Sequence, residues 1–424
     1  EIAGNASLVA SGDVVSTGTT SIYGSLTGSS ITLGGSQDRD NQFIGGSLTA
    51  TSGDIKIDHI RISTGTMVAA GSIDITGNIY AFWSNAGLSL TAQNGDIVWN
   101  VTGDPRTMNT VMRAAGDIHL NTDLDDTGSQ NIASTLQAGG TLFVNSDVSL
   151  KIASVSAQAT KIAQGASLAL GENSPRTEVS YFLGRVTNEG ILNIGNGSSP
   201  SVSASAESLA NSGSLTIDRF HTLNVTNDVV SNAAGSSTTI AGILTGRNIV
   251  LVGTSNLLTN GTVRASGNLS IDGGTMGTTT LSGNTVTLSG TFGTSAENVV
   301  NADRLVIDTE VVWNQSKVTA GATDIAATAG LTLNGHKRYP YGSPHDLGTI
   351  TNSGSLTIGT DQATTATSSA VTNTGSLSIG ENSSLAVTGV VTSTGTTVVE
   401  GSLSASGITL GGSSNDLTGG TLSS

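Results

Sequence analysis

The residue types best suited to bind a ligand gather in one short stretch of the chain. Residues 335–346 hold two of the five histidines, two of the five tyrosines and two of the five prolines. Lysine, arginine and tyrosine side chains suit an acidic or sugar ligand, and irregular loops on a rigid scaffold are where binding residues concentrate. We predict a projecting loop here, with a solvated loop that binds nothing as the alternative. The candidate binding residues are His336, Lys337, Arg338, Tyr339 and Tyr341.

The three tryptophans divide into two groups. Trp83 follows Phe82 outside the regular strand pattern, so we predict a surface platform on which a sugar ring could stack. Trp99 and Trp313 occupy apolar strand positions, and we predict that both fill the core.

A run of carboxylates is the second candidate site. Asp123, Asp125 and Asp126 follow an apolar strand and favour a polar turn. Adjacent carboxylates and carbonyls also suit a hard cation, so a structural calcium ion is an alternative. The run is locally similar to the acidic signature of pectin-cleaving β-helix hydrolases, but those enzymes place their acids on successive coils. We predict no catalytic residue and, apart from this calcium, no cofactor.

The composition excludes several classes of protein. Of the 424 residues only 11% are charged, against about 25% in an ordinary globular chain, and 56 are glycine. This polar surface of Ser, Thr, Asn and Gly argues against a helical protein. The 31 acids outweigh the 16 bases, which makes nucleic acid a poor partner. The absence of cysteine excludes disulfides, thiolate metal sites and catalytic thiols.

A short strand unit recurs about every two dozen residues. In one form it follows a glycine, with steps of 18, 24, 21 and 24 residues at Gly53, Gly71, Gly95, Gly116 and Gly140. In a second form it follows Asn-x-Gly, with starts at Asn188, Asn211, Asn352 and Asn373. Residues 16–36 and 393–413 align without a gap, with 15 of 21 positions identical.

These repeats predict a single all-β solenoid over residues 1–424. Each unit alternates apolar and polar residues, so one strand alone cannot bury its apolar face, whereas stacked copies can. At about 21 residues per coil we expect about 20 coils, and the preference for right-handed parallel crossovers predicts a right-handed parallel β-helix. Gly and Asn are assigned to corners with positive φ, and Ser and Thr are expected to face outward.

The repeat units resemble those of the β-helical passenger domains of bacterial autotransporters and filamentous-haemagglutinin-type exoproteins. The resemblance rests on the Gly-Asp-Ile-x-Ile/Leu units at residues 53–57 and 116–120, and on the Asn-x-Gly-Ser-Leu-x-Ile-Gly units at residues 352–359 and 373–380. It covers nearly the whole chain. It implies a Gram-negative adhesin, on the cell surface or secreted, whose membrane translocator lies outside this sequence.

Two functional classes follow from these expectations. The first is an adhesin that takes part in biofilm formation and binds a host glycan, an extracellular-matrix component or identical molecules on neighbouring cells through polar ladders and loops. The alternative is a polysaccharide-cleaving hydrolase or lyase, because the β-helix also carries such enzymes.

Overall fold

A computed structural model describes most of the chain, and every regular element within the described part is a β-strand. The chain divides into two compact units, unit 1 (Glu1–Asn224) and unit 2 (Val225–Ser424). The described residues are 1–35, 41–62, 64–81, 87–104, 109–126, 134–150, 153–171, 181–195, 201–253, 255–293, 297–335, 344–360 and 362–424.

Strands β1 to β27 belong to unit 1. In chain order they are Ser7–Val9, Val14–Ser16, Ser21–Ile22, Ser25–Gly28, Ile31–Leu33, Asn41–Phe43, Gly46–Ala50, Ile55–Ile62, Thr64–Ala69, Ile73–Ala81, Gly87–Ala92, Ile97–Asp104, Asn109–Ala114, Ile118–Leu120, Leu124–Asp126, Ser134–Ala138, Thr141–Val144, Asp147–Leu150, Ala153–Ser156, Ala159–Ile162, Ser167–Leu170, Tyr181–Phe182, Arg185–Asn188, Ile191–Ile194, Ser203–Ala206, Ser208–Asn211 and Ser214–Ile217.

Strand β28 (Thr222–Val225) ends at the first residue of unit 2, and strands β29 to β53 follow it. They are Val229–Ser231, Ser237–Ile240, Ile243–Gly246, Ile249–Val252, Asn256–Thr259, Thr262–Ala265, Asn268–Gly277, Thr280–Gly293, Val299–Ile307, Glu310–Asn314, Lys317–Ile325, Gly330–Asn334, His345–Asp346, Thr349–Asn352, Ser355–Ile358, Thr365–Ser368, Ala370–Asn373, Ser376–Ile379, Ser384–Val387, Val390–Ser393, Thr396–Val399, Ser402–Ser404, Gly407–Leu410, Asn415–Asp416 and Thr421–Ser423.

Within each unit a strand pairs in parallel with the strand one coil further along the chain. In unit 1, Ile31 of β5 pairs with Ile55 of β8, which pairs with Ile73 of β10. In unit 2, Leu331 of β40 pairs with Leu356 of β43. The chain makes about 18 such turns, close to the 20 expected, so the predicted parallel β-solenoid is confirmed. That one solenoid runs without interruption through residues 1–424 stays a prediction.

The core of each unit consists of columns of identical or similar apolar side chains. Ile55, Ile73 and Ile97 stack in register and are fully buried. Along each of their strands, every second side chain points outward. This alternation has the period of two that a strand requires. Trp99 and Trp313 lie in the core as predicted, with 0% and 2% of their surfaces exposed.

The glycine-aspartate units form a corner where one coil supports the next. The Asp96 Oδ1 atom accepts a hydrogen bond of 2.7 Å from the Asp117 N–H, and Asp117 Oδ1 accepts one of 2.6 Å from the Thr141 N–H. Gly116 leaves room for the carboxylate, because a Cβ there would lie 2.1 Å from Asp96 Oδ1. At this corner an Asp or Ser side chain accepts a hydrogen bond from the backbone of the next coil, and a Gly in that coil leaves room for it.

The asparagines of the Asn-x-Gly units correct one expectation. They do not adopt positive φ; they point inward and are buried. The Asn373 side chain donates to Ser393 Oγ at 2.8 Å and accepts from Asn352 Nδ2 at 2.8 Å. The Nδ2 groups of these buried amides donate to the next coil and to the backbone, whereas the Oδ1 atoms of Asn188 and Asn352 have no partner among the described residues. Asparagine therefore serves hydrogen bonding between coils here and not backbone conformation.

The glycines of the same units also have a different role from the one predicted. Gly354, Gly375 and Gly395 stack at one corner without positive φ. A Cβ on Gly375 would lie 2.0 Å from the Gly354 carbonyl oxygen, and a Cβ on Gly395 would lie 2.0 Å from that of Gly375. The requirement at this corner is close approach between successive backbones.

Candidate functional site

All six ligand-binding residues predicted from the sequence lie outside the described residues. They are His336, Lys337, Arg338, Tyr339, Tyr341 and Trp83. At the end of the stretch predicted to project, His345 belongs to strand β41 and is 5% exposed; the loop itself stays a prediction.

The carboxylate run is only partly described. Asp125 and Asp126 belong to strand β15, and their side chains lie outside the described part of the structure. Asp123 is exposed, and its Oδ1 accepts hydrogen bonds from the Ser146 hydroxyl at 2.5 Å and from the Asp147 N–H at 3.3 Å. This carboxylate joins two coils at a corner. Among the described residues no group of three His, Asp or Glu side chains is placed to hold a metal ion.

The described histidines occupy separate environments. His59 has a φ of 58° and contacts the Asp58 carboxylate at 2.9 Å. His221 is fully buried, and its Nδ1 accepts a hydrogen bond of 2.8 Å from the Val202 N–H. Burial lowers the pKa of His221, and the nearby Asp218 carboxylate opposes that shift.

His345 is the most strongly perturbed of these groups. Burial in the core lowers its pKa from 6.5 to about 4, and its Nδ1 has no hydrogen-bond partner among the described residues. The side chain is therefore neutral at physiological pH and packs in the core.

A regular array of hydroxyl groups covers one side of the coils in unit 2. Four threonines occupy the same outward position in four successive coils, where the strand register aligns each with the next. All four side chains are exposed. They are Thr351 of β42, Thr372 of β45, Thr392 of β48 and Thr409 of β51.

A second column of hydroxyls lies two residues further along, in the turn after each strand. Ser353, Thr374 and Thr394 are exposed, and the Thr374 hydroxyl donates to Ser353 Oγ at 3.3 Å. We call these three residues and the four threonines the hydroxyl face. The backbones of neighbouring coils along a column are about 4.8 Å apart, and the two columns are about 7 Å apart.

The chemistry of the hydroxyl face is neutral and self-complementary. Each hydroxyl can donate one hydrogen bond and accept two, so a face of this kind can pair with another copy of itself. None of its seven side chains carries a charge that would repel an identical surface.

The sequence contains a signal for this face that motif analysis missed. Threonine directly precedes a buried Asn or Ser in the consecutive units Val371-Thr372-Asn373 and Val391-Thr392-Ser393. Aligning those units on the buried residue would have placed the threonines in one column. The residue types of the stretch 336–341 are rare in this chain and therefore favoured it as a candidate site, whereas threonine is common.

Comparisons with known proteins give no assignment. No protein-family model matches the chain, and no curated protein or solved structure matches it. Among the residues that the structure describes, no helical segment has the length and apolar character needed to traverse a bilayer.

Proposed function

We propose that this chain is the adhesive part of a bacterial surface protein and that it self-associates through the hydroxyl face. The observation that carries the proposal is the column of four exposed, in-register threonines on unit 2. The resemblance of the repeat units to autotransporter passenger domains supports the surface location.

The energetics suit adhesion between cells better than a tight complex in solution. A single hydroxyl hydrogen bond contributes a net of about 0.5–1.5 kcal/mol, so one pair of faces binds weakly. Many copies on two opposed surfaces act together, because each bond formed raises the effective concentration of the next. Cells that display the protein densely would aggregate, while free monomers would not.

Bead aggregation tests this function. Beads coated with wild-type protein should cluster, because opposed hydroxyl faces can then pair in large numbers. The double variant Thr372→Arg and Thr409→Arg should abolish clustering, since two long cationic side chains prevent close approach of two faces. The two positions lie two coils apart, which limits repulsion between the new charges within one molecule.

A matched variant controls for the added charge. Thr66→Arg and Thr187→Arg change two exposed outward threonines in unit 1, with the same change in net charge. This control should cluster like wild type. Clustering that survives in the Thr372 and Thr409 variant, or wild-type beads that never cluster, would refute self-association through this face. An assay for new reducing ends on acidic polysaccharides tests the alternative of a cleaving enzyme.

A further inference from the structure

An outward sheet face of unit 1 combines aromatic, acidic and amide side chains in parallel columns. Its central column runs through successive coils of β8, β10, β12, β14 and β17, with the register aligning each residue with the next. The members of this column are Lys56, Asp74, Val98, His119 and Phe143.

Two polar columns flank this central one. The corner column contains Asp54, Asp96 and Asp117, all partly exposed. The opposite column contains Asn100, Asn121 and Asn145, and here Asn145 Nδ2 donates to Asn121 Oδ1 at 2.7 Å. We call the three columns together the aspartate-aromatic face.

The centre of this face is a preformed apolar ridge. The rings of His119 and Phe143 stack with their centroids 4.6 Å apart and their planes 4° from parallel. Val98 occupies the same position one coil before His119. Because stacking holds both rings in place, a ligand that contacts them orders no side chain on binding, which lowers the entropic cost.

The carboxylates beside the ridge are held in place and still have acceptor capacity. The Oδ1 atoms of Asp96 and Asp117 accept hydrogen bonds from the backbone of the next coil. Their Oδ2 atoms accept none within the described part of the chain. A carboxylate oxygen in this arrangement can accept from a hydroxyl or an ammonium group of a ligand.

The charge of the face selects a cationic ligand. From β8 to β14 its outward positions carry five aspartates and one lysine. The aspartates are Asp74 of the central column, Asp54, Asp96 and Asp117 of the corner column, and Asp58, which lies two coils before Asn100 in the opposite column.

The repetition of the same groups along the coils favours a ligand made of identical units over a peptide of mixed sequence. A ligand lying along the coil axis meets a similar set of apolar, acidic and amide groups about every 4.8 Å, which suits a chain of identical units. The backbone groups of these strands are already paired within the sheet, so a peptide could not add here as a further strand.

We infer that the aspartate-aromatic face binds a polysaccharide with free amino groups, a polymer of the glucosamine type. The apolar faces of the sugar rings pack on the ridge of Val98, His119 and Phe143. The ammonium groups contact the aspartate column, and the hydroxyls bond to the asparagine column. This inference rests on the proposed adhesive function, since it supplies that function with a matrix ligand at a second surface.

Three hexasaccharides with the same β-1,4 backbone separate the contribution of the amino groups to binding from that of the sugar rings. Calorimetric titration at about pH 6 compares the hexamers of glucosamine, N-acetylglucosamine and glucose. Wild-type protein should bind the glucosamine hexamer most tightly, and added salt should weaken that binding alone. Equal affinity for all three hexamers, or no binding of the glucosamine hexamer, would overturn the inference.

A charge-neutralising variant locates the site. Asp96→Asn with Asp117→Asn keeps an oxygen to accept the backbone hydrogen bonds, and should weaken glucosamine binding about fivefold to tenfold by removing two exposed ion pairs. The matched control is Asp123→Asn with Asp147→Asn, two corner carboxylates of similar role whose Oδ1 atoms also join coils. Equal loss in the control would refute the assignment.

Two further arms complete the test. Phe143→Thr leaves the corner hydrogen bonds intact and should weaken binding of all three hexamers. This variant therefore tests whether the ridge contacts the sugar even if the double variant does not fold.

Tighter binding of hexalysine than of the glucosamine hexamer, lost in the Asp96 and Asp117 variant, would indicate a basic peptide as the ligand and refute the proposal. Soluble hexamers report only on this face, so their result is independent of bead clustering through the hydroxyl face.

Discussion

His345 is a buried titratable group from which we predict a loss of stability in acid. Its ring lies in the core of unit 2, where strand β41 pairs with β39 and β44. The uncharged form fits this environment, whereas the protonated form loses the hydration that it would have in the unfolded chain. Burial therefore lowers the pKa to about 4 from 6.5.

The sign of the pH dependence follows from these two values. Between pH 6.5 and about 4 the unfolded chain binds a proton at this position and the folded chain does not. Stability should fall as the pH decreases through this window, by up to about 3 kcal/mol, and level off below it. Urea denaturation at several pH values measures the loss. In His345→Leu much of it should disappear, while His119→Leu, on the outer surface, should retain it. An unchanged pH dependence in His345→Leu would contradict this account.

Corners are the elements that decide whether neighbouring coils can stack. Strand interiors tolerate exchange among apolar residues of similar size, because the column needs only volume and shape. The corners instead bring one backbone against another, as at Gly354, Gly375 and Gly395. A methyl group there meets a carbonyl oxygen that is itself fixed in the stack, so neither side can move alone.

Gly375→Ala tests the corner. The added Cβ would lie 2.0 Å from the Gly354 oxygen, so the coils must separate locally, at a cost of about 1–3 kcal/mol. Urea denaturation should show a lower midpoint than wild type. Gly407→Ala is the control, because its nearest contact would be an ordinary 3.6 Å from Val390 Cγ1, and its effect should stay within about 0.5 kcal/mol. Equal midpoints for the two variants would argue against close approach as the reason for glycine at the corner.

Considered as a whole, the molecule is modular at the level of one coil. In unit 2 three strands of one coil pair with their successors at the same shift of 21 residues: His345 with Ala366, Thr349 with Ala370 and Ser355 with Ser376. A solenoid whose coils contact mainly their neighbours should accept the loss of one complete coil.

Deletion of residues 352–372 removes one such coil and joins Thr351 to Asn373, which occupies the register of Asn352. We expect this variant to keep its β-sheet circular dichroism and its resistance to proteolysis. Deletion of residues 352–362 removes about half a coil and brings apolar strand positions to the wrong side of the stack, so it should lose both. Loss of structure in the first variant, or its retention in the second, would show that the coils are not interchangeable modules.

The sequence alone determined the architecture, because the evidence for a solenoid is local and repeated. An apolar alternation at Ile55, Ile73, Ile97 and Ile118, each after a glycine, can be buried only by stacking, and no long-range information is needed to see it. The same pattern placed Trp99 in the core. The expectation that Ser and Thr face outward holds for the hydroxyl face, but it is wrong for buried residues such as Ser393 and Thr397, which lie inside the coils.

Only the tertiary structure decided which residues share a surface and why the corners have their composition. The columns Thr351 to Thr409 and Val98 to Phe143 join residues about twenty positions apart, and a coil that is one residue longer shifts its whole column. Likewise, the inward turn of Asn373 and the carboxylate bonds of Asp96 depend on the backbone of the next coil. Contacts between coils depend on the register of stacking. Coil lengths that vary from turn to turn leave that register open, except where a shared unit such as Thr372-Asn373 aligns neighbouring coils.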